Sequence, residues 1–350
     1  MSDNSAIAKQ QWWLSVRPWA LGAAVGLAYT VPARLIFFGL GWPKDGDQSL
    51  AFWLVGAMST AFLFGVPAAT GALAVTVAGR KGKVTLPQAI FLPWVACATA
   101  IAVAALTLIE GSICIFLAAP VFFSMGSVGG VAMWLVQRAR SQRGTPVALS
   151  VALLPLLWGG AEANVRGEPS LYRVENVQEI AAPPAVVWRH IASVDPIAPA
   201  ELPWSLSHFI GLPRPIAATL TEQRQGGVRR ATFERGLVFR EEVIDWQEQK
   251  TLAFSIAAEQ APAEALDEHV VVGGQYFDVI DGRYTLQALP DGKTRLTLSS
   301  THRLTTTLNG YAGIWSQAIM WDLQRVIMRV VAARCEAAVA RSATAGSSRP

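Results

Sequence analysis

Glu241 and His302 are the residues whose type and setting could do acid–base chemistry. Leu237, Phe239, Glu241 and Val243 fall at every second position of one run, so on a strand they share a face and set a carboxyl among apolar neighbours. Leu296, Leu298, Ser300, His302 and Leu304 do the same for an imidazole on a later run. Burial beside apolar groups raises a carboxyl pKa, and a nearby histidine offsets that. A pair of this kind could move protons, or it could hold the polar head of a ligand. The plainer reading puts Glu241 at a solvent-facing strand edge and makes His302 a satisfied core histidine. The residues alone leave these alternatives open.

A second pair stands in apolar surroundings. Arg34 lies inside a hydrophobic run two turns before Trp42, where an unpartnered guanidinium costs on the order of 3 kcal/mol. Glu110 sits at the tip of the short Glu110-Gly111-Ser112 hairpin. Either Arg34 snorkels to the headgroups and Glu110 is a solvated turn residue, or the two form an ion pair that pins the first apolar segment to the third.

Other chemistries lack their signatures. There is no Gly-x-Ser-x-Gly elbow, Walker loop, dinucleotide fingerprint or His-Glu-x-x-His in the chain. Cys97, Cys114 and Cys335 have no CxxC spacing, and His190, His208 and His269 fall on separate elements, the last in a polar Asp267-Glu268-His269 run. Neither a metal nor a cofactor is expected. Residues 1–165 hold 10 Lys/Arg and 5 Asp/Glu, which leaves 19 and 20 of the totals of 29 and 25 for residues 166–350. The water-soluble half is thus close to neutral, which argues against nucleic acid as a partner.

The elements that carry these residues differ in kind. Only 15% of the chain is charged and 52% is hydrophobic, against roughly 25% charged residues in soluble domains. Charge-free windows run over residues 18–33, 48–79, 84–109, 111–137 and 144–161. With Arg34 admitted to the first, which then covers residues 19–42, about five membrane spans are expected, the fifth being the shortest. A stretch this long is not a cleavable leader. Trp12, Trp13, Trp19 and Trp42 bracket the first span as an interfacial belt. Gly22-x-x-x-Gly26 and Gly126-x-x-x-Gly130 are spacings that let helices approach closely in lipid. Lys9, Arg17, Arg80, Lys81, Lys83, Arg138, Arg140 and Arg143 mark alternate loops as cytoplasmic. Five spans then put the N-terminus inside and the second half outside, in the periplasm of a bacterial-type inner membrane. Were the fifth segment not to cross, the second half would be cytoplasmic.

From residue 170 the pattern turns to short alternating runs. Strands are expected at 171–180, 217–225, 228–235, 237–247, 251–259, 276–289 and 294–305, with a helix at 184–194 and a Pro- and Trp-bearing loop at 195–215. A helix over 311–341 closes the chain, with Ile314, Trp315, Ile319, Leu323, Val326, Ile327, Val330 and Val331 at helical spacing. An antiparallel sheet must wrap this helix to bury its apolar face. The fold expected is therefore a membrane α-helical bundle over 1–165, an α+β helix-grip domain over 166–342 and a disordered tail over 343–350.

The second half also resembles a known family. The run Val177-Gln-Glu-Ile-Ala-Ala-Pro-Pro-Ala-Val-Val-Trp-Arg-His-Ile191 is similar to the strand, Ala-Pro, helix entry of the START-like polyketide cyclase/dehydrase (SRPBCC) superfamily. So is Arg230-Ala-Thr-Phe-Glu-Arg-Gly-Leu-Val-Phe-Arg-Glu-Glu-Val-Ile-Asp-Trp246, in which Glu241 follows the Gly236-x-x-Phe239 segment as the family's recurring glutamate does. The resemblance covers residues 170–340 and implies a deep, mostly apolar cavity between sheet and closing helix. Phe239, Glu241, Val243, Tyr284, Leu298, His302, Tyr311 and Trp315 are the expected lining. The function this implies is a membrane-anchored protein that holds a lipophilic small molecule, a lipid or polyketide-like compound, beside the lipid bilayer. Cyclase- or dehydratase-like catalysis by Glu241 and His302, and an assembly module with a vestigial cavity, are the alternatives.

Overall fold

A computed structural model describes residues 16–39, 59–80, 82–107, 111–139, 144–162, 165, 167–260, 271–274 and 276–347 of the chain. It divides into two compact units, Met1–Gly167 and Glu168–Pro350.

Four helices of the first unit are long and apolar enough to cross a membrane: α1 (Val16–Phe37), α2 (Ala61–Gly79), α3 (Leu86–Leu106) and α4 (Ser112–Ala139). The fifth helix, α5 (Gly144–Glu162), contributes the apolar stretch Leu149–Glu162 among the described residues. Four helices that could cross a membrane thus stand among the described residues, against the five spans expected.

Small residues decide how closely these helices approach. A Cβ on Gly26 of α1 would lie 2.1 Å from the Ala96 carbonyl oxygen of α3, and one on Gly129 of α4 would lie 1.8 Å from that of Ala68 in α2. Backbone meets backbone there, as small-residue spacings allow. The buried charges gather elsewhere. Glu162, the last residue of α5, is buried and accepts from the backbone N–H groups of Thr60 (2.8 Å) and Ala61 (2.9 Å) at the start of α2. It satisfies two donors that a helix start leaves open. Arg34 is buried as well, its guanidinium 5.6 Å from the centre of the Phe62 ring. Among the described residues both buried charges of this unit thus lie within one turn of the same helix start. Glu110 lies outside the described residues, and with it the ion pair to Arg34.

The second unit carries one seven-stranded sheet, in the order β1-β7-β6-β5-β4-β3-β2, with every neighbouring pair antiparallel. The strands are β1 (Ser170–Ile180), β2 (Pro215–Leu220), β3 (Val228–Phe233), β4 (Val238–Gln247), β5 (Thr251–Gln260), β6 (Phe277–Ala288) and β7 (Thr294–Leu304). Helices α6 (Pro184–Ala192) and α7 (Leu206–Phe209) follow β1, and α8 (Asn309–Ser347) closes the chain. Register shifts at Val238/Phe239, Val243/Asp245 and Val279/Asp281 bend the central strands. The curled sheet grips α8, which is the helix-grip arrangement. The closing helix runs past the expected 341, and in its last turns the Ser342 and Thr344 hydroxyls donate to carbonyls of the preceding turn, Ala338 among them at 3.2 Å.

Replacing Glu162 by Ala leaves the Thr60 and Ala61 donors unmet. The expected outcome is a loss of about 1 to 2 kcal/mol from the helical unit, seen as a lower melting temperature of the detergent-solubilised protein. An unchanged melting temperature would mean that the carboxylate contributes nothing as a cap.

Candidate ligand-binding site

Cross-strand register places the candidate residues on one concave face. Arg229 pairs with Glu241 and Glu241 with Ile256; Tyr284 pairs with Leu298, Val279 with His302, and His302 with Tyr172. Directly opposed residues point the same way. Glu241, Tyr284, Leu298 and His302 therefore share the face that α8 covers, with Phe239 and Val243 flanking Glu241.

Along this face the contacts with α8 change character. At one end Val243, Leu252, Phe254, Tyr284, Leu296 and Leu298 belong to a core cluster with Met328, Val331 and Cys335 of α8. Val243, Tyr284 and Leu298 are thereby packed core. In the middle, buried Gln324 donates to the Ser300 hydroxyl (2.8 Å) and the Val174 carbonyl (3.2 Å), and its own oxygen accepts from Asn176 (2.9 Å). Beyond this polar belt lies the end where α8 begins. Phe239, Phe277 and Val279 of the sheet and Tyr311 and Trp315 of α8 are only half-buried there. Tyr311 and Trp315 meet edge to face, 6.5 Å between ring centres.

Glu241 is engaged. Its carboxylate is ion-paired with Arg229, and both side chains are buried. Arg229 also donates to the Ile191 carbonyl (2.6 Å) and lies 4.1 Å over the Phe254 ring. Burial opposes the guanidinium's charge, but Glu241 more than offsets it and holds the pKa above the ordinary arginine value. Burial pushes the neighbouring Tyr284 phenol up. Arg229 went unnoticed in the sequence, although a β3–β4 hairpin centred on Arg235 puts it opposite Glu241.

His302 is engaged differently. Its ring is fully buried, stacked on Tyr172 (5.6 Å, 19°) and tilted against Phe277 (5.7 Å). Nε2 lies 2.9 Å from the Ser316 hydroxyl, which in turn donates to the Gly313 carbonyl (3.2 Å). His302 Nδ1 meets no partner among the described residues. Burial pushes the pKa down from 6.5 to about 4, so the ring is neutral. Three strand spacings, about 14 Å along the sheet, separate the β4 and β7 strands that carry Glu241 and His302, and each side chain has its own partner.

No protein-family model matches the sequence, and no curated protein matches it. Among solved structures, the protein CV1439 from Chromobacterium violaceum is similar at 16% identity over 47% of this chain and 97% of its own, with a TM-score of 0.28. The Zhui aromatase/cyclase from a Streptomyces species is similar at 14% identity over 47% of this chain and 94% of its own, with a TM-score of 0.29. Likeness this distant carries no argument about chemistry. The helix-grip fold rests on the strand order and the closing helix themselves.

Two outcomes are expected at this site. Glu241→Leu or Arg229→Met alone should cost about 3 to 5 kcal/mol, because each leaves a buried charge uncompensated, whereas the Arg229→Met/Glu241→Leu pair should recover most of that loss. Denaturant unfolding of the four proteins measures it, and additive losses would show that the charges are not coupled. His302 takes up a proton more readily unfolded, at 6.5, than folded, at about 4. Its contribution is therefore complete above 6.5 and falls away as pH drops towards 4, by up to about 3 kcal/mol. In unfolding titrations across that range, His302→Gln should show a shallower loss than the parent. Parallel curves would contradict the assignment.

Proposed function

We propose that the chain is a membrane-anchored binding protein whose helix-grip domain holds a lipophilic molecule at the end of the concave face where α8 begins. The observation that carries this reading is the contrast along α8. One end is packed solid, while at the other Phe239, Tyr311 and Trp315 are half-buried, as is Phe277, which lies against a neutral histidine. Half-buried aromatic side chains around few polar groups are what an apolar ligand needs. Trp315 and Tyr311 form the helix-side wall in this reading.

Binding is favoured over acid–base catalysis because Glu241 is committed to Arg229 and His302 to Ser316. A general base must reach the proton that it takes. The bilayer enters as the solvent of the four apolar helices. Four crossings with cytoplasmic Lys/Arg loops would put the helix-grip domain on the cytoplasmic side, and a fifth crossing by α5 would put it in the periplasm.

Native mass spectrometry of the detergent-purified full-length protein tests the binding reading. A non-covalent adduct extractable into organic solvent should accompany the parent and be depleted in Tyr311→Ala/Trp315→Ala, which should melt only modestly lower. Bare protein mass for both would overturn it. For topology, a fluorescent reporter fused after Pro350 should mature in the cytoplasm. An alkaline phosphatase fusion that is active there instead would return the domain to the outer side.

A further inference from the structure

Helix α8 changes character at Met320. From there to Cys335 buried side chains recur along it, whereas among residues 309–319, all of them described, Gly313 alone is buried, and it has no side chain to bury. The first three turns therefore gain less from apolar burial than the rest of the helix. They also gain little from helix propensity, because Asn309, Gly310 and Gly313 are poor helix formers. Polar bonds around Asn309 hold these turns. Its amide oxygen accepts from the Thr306 backbone N–H and hydroxyl, both at 2.9 Å. Its amide nitrogen donates to the Glu168 carbonyl (2.6 Å) and to the Ser170 hydroxyl (2.8 Å) at the start of β1. The amide thus ties the turn before α8 to the strand that opens the sheet.

A circuit of contacts closes the same turns over the sheet. The Tyr172 hydroxyl donates to the Asn309 carbonyl (2.8 Å), the Tyr172 ring stacks on His302, and His302 meets Ser316 two turns further along α8. Gly313 stands between these two ties. A Cβ there would lie 2.6 Å from the Tyr172 ring, so a glycine lets the helix lie this close. A segment with sparse burial and polar attachment opens at a free energy well below that of global unfolding. Unwinding of residues 309–316 would carry Tyr311 and Trp315 off the sheet, while the packed half around Met328, Val331 and Cys335 keeps α8 in place. On the reading that this end holds a lipophilic molecule, we propose that the first turns of α8 form a lid over it. Asn309 latches the lid to β1, and its opening sets the rate at which the ligand enters and leaves.

Hydrogen exchange and photolabelling of the detergent-solubilised full-length protein test this together. Asn309→Ala breaks the latch and should speed exchange of the amides of residues 309–316 about tenfold. Gly310→Ala, at a position where a Cβ meets open space, stiffens the first turn and should slow that exchange about fivefold. Unchanged protection of β6, β7 and the half of α8 beyond Met320 shows that each variant is folded. Entry is read with a diazirine-bearing dodecanol, as the rate at which peptides carrying Phe239 and Phe277 take up label that plain dodecanol competes away. That rate should rise in Asn309→Ala and fall in Gly310→Ala by the same factors, because entry scales with the population of the open form. Exchange of 309–316 that moves in neither variant overturns the latch. Exchange that moves while labelling rates stay equal overturns the lid and leaves the binding reading standing. If those peptides of the parent take up no competed label even at long incubation, the binding reading fails and the lid with it.

Discussion

A charge withdrawn from water must be met by another charge or by oriented dipoles, and the polar architecture of both units follows from that constraint. Arg229 and Glu241 meet each other across β3 and β4, with the Ile191 carbonyl and the Phe254 ring taking up the rest of the guanidinium. Asp322 is met by two serines and an arginine, which hold its carboxyl down to about 2 even though burial alone would raise it. Glu162 is met by two backbone N–H groups at the start of α2. These arrangements are specific in a way that apolar packing is not. A hydrophobic core tolerates exchange of one aliphatic residue for another, while a buried carboxylate accepts only the partners that face it.

The consequence for function is that α8 works as a graded element. Its C-terminal half lies in the apolar core, its middle is tied to β1 and β7 through Gln324, and its first turns carry Tyr311, Trp315 and Ser316, the last of which meets His302. A helix fixed at one end and along its middle can leave its other end incompletely packed without losing its position. Packing the whole length would leave no room for the ligand proposed above. Leaving the whole length open would have cost the core that holds the sheet curled.

The sequence made the architecture of the second unit legible because strand alternation and helical periodicity are local signals. Leu296, Leu298 and His302 lie on one face as alternation requires, and the Gly292 turn has the positive φ of 77° that Pro290-Asp291-Gly292 implies. What pairs with what was less legible. Arg229 could have been found by folding the β3–β4 hairpin about Arg235, which takes φ 58° ahead of Gly236 at 74°. Asp322 and Glu162 could not, since their partners lie 115 and 102 residues away and carry no periodic mark. The count of spans rests on charge-free windows, which give five, while four helices among the described residues are long and apolar enough to cross a membrane.

Asp322 ties these observations together. It stands on α8 between Trp315, at the open end of the concave face, and Met328, in the closed core, and from there it fixes the segment that holds Trp204 and Phe209 outward. An exposed aromatic ring on a mobile loop would fold back onto the nearest apolar surface, because burial of such a ring is favourable by kilocalories. Keeping two of them in water requires a scaffold that denies them that alternative. The buried carboxylate supplies it, since moving the segment would strip Asp322 of the Ser205 and Ser207 hydroxyls and the Ser207 N–H together. Breaking hydrogen bonds to a buried charge costs more than breaking the same number between neutral groups. The same helix therefore bounds the proposed ligand end on its inner side and holds the aromatic surface rigid on its outer one.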